Sequence, residues 1–381
     1  MANFPKGWQT SGHDGASRLL LNTFRAGRLA HAYLITGPEQ SGRRTLALDL
    51  ARAVNCTGRA QVALGSAAGA GGPDVSDRPC GDCAQCSRIT RGLHADVRVI
   101  APDTPIESDR FDPEAGADKA RHKDIRIGHI HDLAHQAYLK PFEGTRRVFI
   151  VDGAELMNSN TANALLKTLE EPPQDVLIVL VARSASAVPA TIVSRCHRVD
   201  LRPVPPSDIE SLLARHSAAP AQAALLAKLA AGRPGWAVNA LTDPSRLEKH
   251  TQAVQRVTEA VTGGLEERFR YARVLGDTFW RKREEALEEM DVWLGWWRDL
   301  AAAKLALRGA VTNADRLPEL EAIGSMLDID SIVRAAEVVA RTKRTLEANA
   351  NARLALEVMM LDLPWVDLTS LPPMQTAIAS A

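Results

Sequence analysis

The sequence has no excess of charge of either sign, few cysteines and no long apolar run. Its 381 residues include 46 basic and 46 acidic side chains, so any DNA contact should be local or made by other chains. No run approaches the length of a membrane span, and the first residues lack the apolar core of a signal peptide. Five cysteines, four of them in a metal-like arrangement, fit a reducing compartment better than a disulfide framework. We therefore expect a cytoplasmic protein.

The most informative part of the chain lies near its middle. Two short apolar runs, Val148–Asp152 and Val176–Val181, flank a segment with helical periodicity, a pattern typical of buried strands in a parallel sheet. Asn158 or Ser159 can cap the helix between them, and Pro172-Pro173 ends it. An acid at the C-terminal tip of such a strand, here Asp152, is where α/β nucleotide sites place a metal-binding residue.

A degenerate phosphate-binding loop is predicted further upstream, between an apolar run and a helix. Gly37 and Gly42 have the spacing of the pattern Gly, four residues, Gly, Lys, Ser or Thr. Arg43 stands in place of the lysine, Arg44 in place of the magnesium-binding hydroxyl, and Thr45 lies one position late. Two readings stay open: a glycine turn without ligand, or a loop whose backbone donors still hold a nucleotide. Efficient hydrolysis is not expected from either.

Four cysteines indicate a structural metal site. Cys80, Cys83 and Cys86 are spaced by two residues, and Cys56 lies upstream across a stretch rich in glycine and alanine, residues 57–79, which we expect to be a flexible insertion. Four thiolates suit a closed tetrahedral zinc site that stabilises a small module, about residues 56–86, and leaves no position for a substrate. The alternatives are a redox pair or unpaired thiols. His129, His131 and His135 cluster as well, but a solvated helix face explains them better than a metal.

The central stretch resembles a known family. Ala162-Asn-Ala-Leu-Leu-Lys-Thr-Leu-Glu-Glu-Pro-Pro173, followed by Ser194-Arg195-Cys196, is similar to the clamp-loader branch of the AAA+ proteins, over roughly residues 12–200. The resemblance implies that Arg195 is an arginine finger reaching into a neighbouring subunit's ATP site; the alternative is a surface arginine at a strand end. It also implies a zinc module at the place where the cysteines lie.

The resemblance further implies that chemistry has been lost. Active members carry Asp-Glu at the strand tip, where the glutamate activates water, but here Gly153 follows Asp152 and Glu155 lies two residues further on. Arg183 or Ser184 stands near the polar sensor at the end of the next strand. The phosphate loop and the strand tip each lack residues that active members use for hydrolysis. For this reason the sequence looks most like the delta-prime family of bacterial DNA polymerase III subunits.

The implied architecture has three domains. They are an α/β AAA+ P-loop-type domain with a zinc-binding insertion (1–202), a small helical lid (203–243) and an all-α collar that mediates oligomerisation (244–381). The length of the chain alone suggests two or three domains. Trp293, Trp296 and Trp297 lie on or beside an apolar helix face in the third, which indicates a core or a subunit interface.

The implied function is that of a non-hydrolysing clamp-loader subunit in a hetero-oligomer. Its expected partners are the delta and tau/gamma subunits, the sliding clamp weakly, and primed DNA through the complex; its expected cofactor is structural zinc. The degenerate nucleotide site would consist of Gly37, Gly42, Arg43, Arg44, Thr45 and Asp152. Two rivals remain: an active ATPase motor subunit of the tau/gamma type, and a zinc-dependent DNA-binding regulator, which the neutral net charge disfavours.

Overall fold

A computed structural model describes residues 6–58, 78–106, 124–348 and 350–367. Most of the expected flexible insertion at residues 57–79 lies outside the described residues, as does the last part of the expected collar. Within the described ranges, no helix is both long and apolar enough to cross a membrane.

A parallel sheet forms the centre of the N-terminal half. The described residues give it five strands in the order β2-β3-β4-β1-β5, and every neighbouring pair is parallel. The strands are β1 (Ala32–Thr36), β2 (Val97–Ile100), β3 (Arg147–Asp152), β4 (Val176–Ala182) and β5 (His197–Asp200). The two buried strands expected in the central stretch are thus confirmed as β3 and β4. Since β1, β3 and β4 are neighbours, the loops after their carboxyl ends share one edge.

Both faces of the sheet are covered, which explains the continuous apolar runs. In β4 the side chains alternate between two cores: Ile178 and Leu180 belong to one, and Leu177 and Val179 to the other. The first core also takes apolar side chains from α4, α5 and α6, and the second from α1, α2 and α3. The helices of this half are α1 (Asp14–Arg25), α2 (Arg43–Asn55), α3 (Ala84–Thr90), α4 (Ile127–Ala137), α5 (Ser159–Glu170), α6 (Ala190–Val193) and α7 (Pro206–Arg215).

The ends of α5 follow from local chemistry. Asn158 is its N-cap and accepts a hydrogen bond from the Thr161 N–H at 2.9 Å, so the first of the two expected caps is the one used. The helix ends at Glu170, directly before the turn into Pro172-Pro173. Its signature sequence therefore packs as one apolar face against the sheet, while its last carboxylate stays at the surface.

The histidine cluster was only partly interpreted correctly. His131 and His135 are exposed, as a solvated helix face requires, but His129 is buried. Its Nδ1 accepts the Arg126 N–H at 3.0 Å, and its Nε2 lies 2.7 Å from the Thr104 carbonyl oxygen. His129 thus caps the start of α4 and ties it to a distant segment, a role that helical periodicity does not reveal.

The chain divides into two compact units. One comprises residues up to His216 together with Gly232–Trp236; the other comprises Ser217–Ala231 and the residues after Trp236. The later helices are α8 (Pro220–Leu229), α9 (Pro234–Thr242), α10 (Pro244–Thr262), α11 (Leu265–Thr278), α12 (Arg283–Lys304), α13 (Leu317–Met326), α14 (Ile329–Glu347) and α15 (Ala352–Asp362). The division into a nucleotide-fold domain, a lid and a collar stays a prediction.

The second unit has its own apolar core, built around tryptophans. Trp293, Trp296 and Trp297 are fully buried, and the rings of Trp296 and Trp297 meet edge to face with centroids 5.0 Å apart. The tryptophans are therefore core residues, the first of the two roles that their pattern allowed. Arg268 is buried beside this core and donates to the carbonyl oxygens of Met360 and Leu363, so it satisfies groups at the end of α15 that have no intrahelical donor.

Candidate functional site

The first candidate site lies where β1, β3 and β4 end. In the sheet register Thr36 pairs with Ala182, and Asp152 pairs with Val181, so the three strand tips are level. The phosphate-loop residues follow β1, Asp152 closes β3, and Arg183 follows β4. All residues of the predicted nucleotide site are therefore brought to one edge of the sheet, where α/β folds bind their ligands.

The glycine loop joins β1 to α2 through two glycines with positive φ. Gly37 has φ +152°, and a Cβ at this position would lie 2.8 Å from the Leu201 carbonyl oxygen. Gly42 has φ +97° and is the N-cap of α2, which begins at Arg43. The N–H groups of the first helical turn have no intrahelical acceptor, because a helix start always leaves them free of one. The loop therefore leads directly into a helix start, as the spacing of Gly37 and Gly42 predicts.

Arg43 and Arg44 occupy the positions at which active sites have the lysine and the magnesium-binding hydroxyl residue. The Nη1 of Arg44 lies 3.4 Å from Oδ2 of Asp152, so the strand-tip acid faces a guanidinium. Arg43 is half-buried, and its burial lowers the pKa of the guanidinium, while Glu155, Asp152 and Glu39 oppose that effect. Thr45 is the third residue of α2. Because Arg44 carries a positive charge, it competes with any cation for Asp152 instead of binding one.

Arg183 joins the loop to the strand tip. Its Nη2 lies 2.6 Å from Oε1 of Glu39 in the glycine loop, and its Nε lies 3.5 Å from Oε1 of Glu155. Ser184 instead contacts Ser186, with 2.9 Å between the two hydroxyl oxygens. Of the two residues expected near the sensor position, Arg183 is the one whose side chain reaches the loop. Three arginines thereby balance three carboxylates at this edge, and the site is close to neutral.

At Gly153 the backbone conformation itself disfavours a side chain directly after Asp152. Its φ is +94°, a left-handed value that side chains rarely adopt, and a Cβ would lie 2.9 Å from Cδ1 of Leu156. Its N–H donates to the Val181 carbonyl oxygen at 3.0 Å, which fixes the turn to β4. Glu155 follows in a 3₁₀ turn and is engaged with Arg183. The strand tip therefore cannot present a glutamate at position 153 without a change of backbone.

Two further contacts of the loop were not expected from the sequence. The ring Nε2 of buried His13 hydrogen-bonds the Ser41 carbonyl oxygen at 2.6 Å, and burial lowers the pKa of this histidine. The N–H of Gly235 donates to the Gln40 carbonyl oxygen at 2.8 Å. A Cβ at Gly235 would lie 2.8 Å from the same oxygen, so glycine is needed for this approach. These contacts join residues that are far apart in the sequence, so no local sequence pattern predicts them.

Arg195 occupies a different place, in the turn between α6 and β5. Its Nη2 lies 2.5 Å from Oε1 of Glu170, and its Nη1 donates to the Thr191 carbonyl oxygen at 2.8 Å and to the Ser194 hydroxyl at 3.3 Å. The side chain is 35% exposed. Among the residues that the structure describes, its contacts are with α5 and its own turn and not with the phosphate loop. Arg195 is therefore separate from the candidate nucleotide site of its own chain.

The second candidate site is the cysteine cluster. The sulfurs of Cys56, Cys80, Cys83 and Cys86 all lie within 4.8 Å of one another. Cys56 is the C-cap of α2, Cys83 is the N-cap of α3, and Cys86 lies in the first turn of α3. The Cys56–Cys80 and Cys56–Cys83 sulfur distances are 3.6 and 3.9 Å. A tetrahedron with Zn–S bonds of about 2.3 Å has edges of about 3.8 Å, so the set fits a four-thiolate zinc ion.

Backbone donors prepare the cluster for thiolates. The N–H groups of Gly58 and Cys80 point at the Cys56 sulfur at 3.3 and 3.4 Å, and the N–H of Cys86 points at the Cys83 sulfur at 3.4 Å. A hydrogen bond from Cys86, together with the Cys80 and Gly58 amides, lowers the pKa of the Cys56 thiol to about 5. The same hydrogen bond raises the pKa of the Cys86 thiol, and burial raises that of Cys80. Metal binding requires deprotonated sulfur and releases the thiol protons, so the four cysteines supply the donor set of a structural metal site.

Comparisons with known proteins identify a matching family and similar chains. A family model described as DNA polymerase III, delta subunit, matches residues 12–205. The delta-prime subunit of DNA polymerase III from Bacillus subtilis is 25% identical over 346 residues, 91% of this chain and 94% of that protein. The tau subunit from the same organism is 30% identical over 191 residues, 50% of this chain and 28% of its own length. A solved gamma-subunit-related protein from Thermotoga maritima aligns with 90% of this chain and 97% of its own, with 20% identity and a TM-score of 0.39.

Proposed function

The chain belongs to the family described as DNA polymerase III, delta subunit, and on this premise we propose that it is a delta-prime-type clamp-loader subunit. In this role it does not hydrolyse ATP itself and supplies Arg195 to the ATP site of a neighbouring subunit. The match over 94% of a delta-prime relative, against 28% of a tau relative, supports this assignment over a tau/gamma-type motor.

The ion pair between Arg44 and Asp152 carries the proposal. In a working nucleotide site the strand-tip acid helps to hold magnesium, and the metal neutralises charge on the phosphates. Here a guanidinium lies 3.4 Å from that acid, and Arg183 pairs with Glu39 and Glu155 around it. The side chains thus supply the counter-charges that a metal and a nucleotide would otherwise bring. A loop balanced in this way stays ordered through its own ion pairs.

The isolated chain is therefore expected not to turn over ATP. Steady-state phosphate release from the purified chain should stay at the background rate, and Asp152→Asn should not change it. The double variant Arg43→Lys, Arg44→Thr restores the phosphate-loop pattern and should gain magnesium-dependent nucleotide binding, measured by fluorescent nucleotide titration, without gaining hydrolysis, because Gly153 still lacks the carboxylate. Hydrolysis by the wild-type chain that disappears with Asp152→Asn would favour the motor-subunit alternative.

The proposed assembly has the delta and tau/gamma subunits as partners, with weak clamp contact and primed DNA bound through the complex. We also propose that the chain has three domains, namely an AAA+ domain, a lid and a collar. Its proposed location is the cytoplasm. An exposed apolar face on α15 supports an assembling collar, since contiguous exposed apolar patches mark interaction surfaces. Leu354, Val358 and Leu361 follow helical spacing on this face, and Trp365 lies just beyond the helix; all four are exposed.

The α15 face provides the test of assembly. Leu354→Glu with Leu361→Glu should lower the affinity for the delta and tau/gamma subunits at least tenfold, because two charges would have to be buried. The control, Leu307→Glu, charges another exposed leucine of the same unit outside α15. Gel filtration of mixed subunits measures assembly, and thermal unfolding checks the fold. Full assembly of the double variant would show that this face is not used.

A further inference from the structure

The last residue of the signature helix carries a charge that is unfavourable where it stands. Glu170 ends α5, and a carboxylate at a helix C-terminus meets the negative end of the helix dipole. The nearest compensation is Arg195, whose Nη2 lies 2.5 Å from Oε1 of Glu170. The two side chains are 50% and 35% exposed, so this is a surface ion pair that solvent and competing anions can reach.

The same pair directs the guanidinium back onto its own subunit. Thr191 and Ser194 accept hydrogen bonds from Nη1, while Glu170 accepts one from Nη2. Three of the five N–H donors of the side chain are thereby used within the chain. An arginine finger acts through its net positive charge on the transferring phosphoryl group, and a carboxylate at 2.5 Å offsets that charge. The observed conformation is thus unsuited to catalysis in a neighbouring site.

We propose that the ion pair with Glu170 holds the Arg195 side chain in an inactive conformation, which limits ATP hydrolysis until the neighbouring site is aligned. This inference rests on the proposed role of Arg195 in trans. An exposed ion pair is weak, so the polyphosphate of a correctly placed neighbour can take the guanidinium from Glu170 at little cost. A misaligned neighbour cannot take the guanidinium from Glu170, so its ATP site lacks the arginine finger. Glu170 therefore acts as a positioning residue that lowers the basal rate more than the stimulated one.

The test uses the assembled complex reconstituted with Glu170→Gln, an isosteric change that removes only the charge. Without clamp and DNA, kcat for ATP should rise roughly two- to fivefold at low salt, which is the range that an exposed ion pair can control. KM should stay unchanged, because the finger acts in the transition state. The rise should shrink with added salt, which already screens the wild-type pair. The matched control, Glu171→Gln, removes the neighbouring exposed charge and should leave kcat unaltered.

A double-mutant cycle separates this inference from the proposed function. The effect of Glu170→Gln should vanish in an Arg195→Ala background, since nothing remains to be released. If Arg195→Ala lowers the stimulated rate but Glu170→Gln leaves the basal kcat unchanged or lowers it, the inhibitory role of Glu170 is wrong, while the arginine-finger role of Arg195 is supported. If Arg195→Ala has no effect on hydrolysis, both the arginine-finger role of Arg195 and the inhibitory role of Glu170 are wrong.

Discussion

Replacing Arg195 by alanine is expected to abolish most ATP hydrolysis at the one neighbouring site that this subunit faces. Fingers supplied in trans contribute roughly 10³ to 10⁵ in rate where they are known, so that site should lose at least about three orders of magnitude. The loss in the whole complex is limited to that site's share of the total turnover. Incorporation of the variant subunit should be normal, because an exposed side chain contributes little to stability.

Arg195→Lys should be nearly as defective as the alanine variant. A single ammonium keeps the charge but lacks the planar guanidinium fork that pairs with two phosphoryl oxygens. Steady-state ATPase and clamp-loading assays of reconstituted complexes, stimulated by clamp and primed DNA, measure both variants. The control is Arg198→Ala, which removes another half-exposed arginine only three residues away. Wild-type rates for Arg195→Ala in a fully assembled complex would refute the finger assignment.

Loss of the metal from the cysteine cluster should have the largest effect on stability. We propose one zinc ion held by Cys56, Cys80, Cys83 and Cys86. Structural zinc contributes about 10 to 16 kcal/mol of apparent binding free energy in small peptides, and a preformed site does not exist in the unfolded chain. Chelation or Cys80→Ser should therefore release the metal, expose the chain around α3 to protease, and lower the melting temperature of the first unit.

Cys196→Ser provides the matched control for the zinc site. Cys196 is a cysteine outside the four-sulfur cluster, and burial raises the pKa of its thiol to about 12. Elemental analysis should find one zinc per chain in the wild type and in this control, and much less in Cys80→Ser. A clearly substoichiometric zinc content of the wild-type chain, or a disulfide between Cys80 and Cys83 under reducing conditions, would contradict the proposal.

Local signals in the sequence were sufficient to place the strand tips and the cysteine cluster. The apolar run before Asp152 and the glycine spacing at residues 37 and 42 each reflect a nearby backbone requirement, so both predicted their structures correctly. The ion pairs of Arg183 could not be predicted, because they join three loops that only the folded sheet brings together. His129 was misread for the same reason: its partner Thr104 lies 25 residues away and outside the periodic segment.

The N-terminus of α7 shows how proline competes with a hydroxyl side chain for the start of a helix. Ser207 looks like a cap in the sequence, since its hydroxyl is short and polar, but the helix already begins at Pro206 with Pro205 as the N-cap. Proline at the first helical position needs no acceptor for a missing N–H, and with its fixed φ the helix starts two residues earlier than a cap at Ser207 would place it. The carboxylate of Glu170 was likewise visible in the sequence, yet its partner in the turn after α6 depends on how that turn packs against α5.

The turn at Gly153 bears on the history of this chain. At φ +94°, with Leu156 Cδ1 only 2.9 Å from the place of a Cβ, a mutation to glutamate would strain the backbone before it could restore any activity. A return to catalysis would need changes at Gly153, Leu156, Arg43 and Arg44 together, and each alone brings no gain in turnover. Under the proposed function, no single substitution among these four positions therefore restores turnover. The proposed dependence of this subunit on an active neighbour would then persist through any one of these changes.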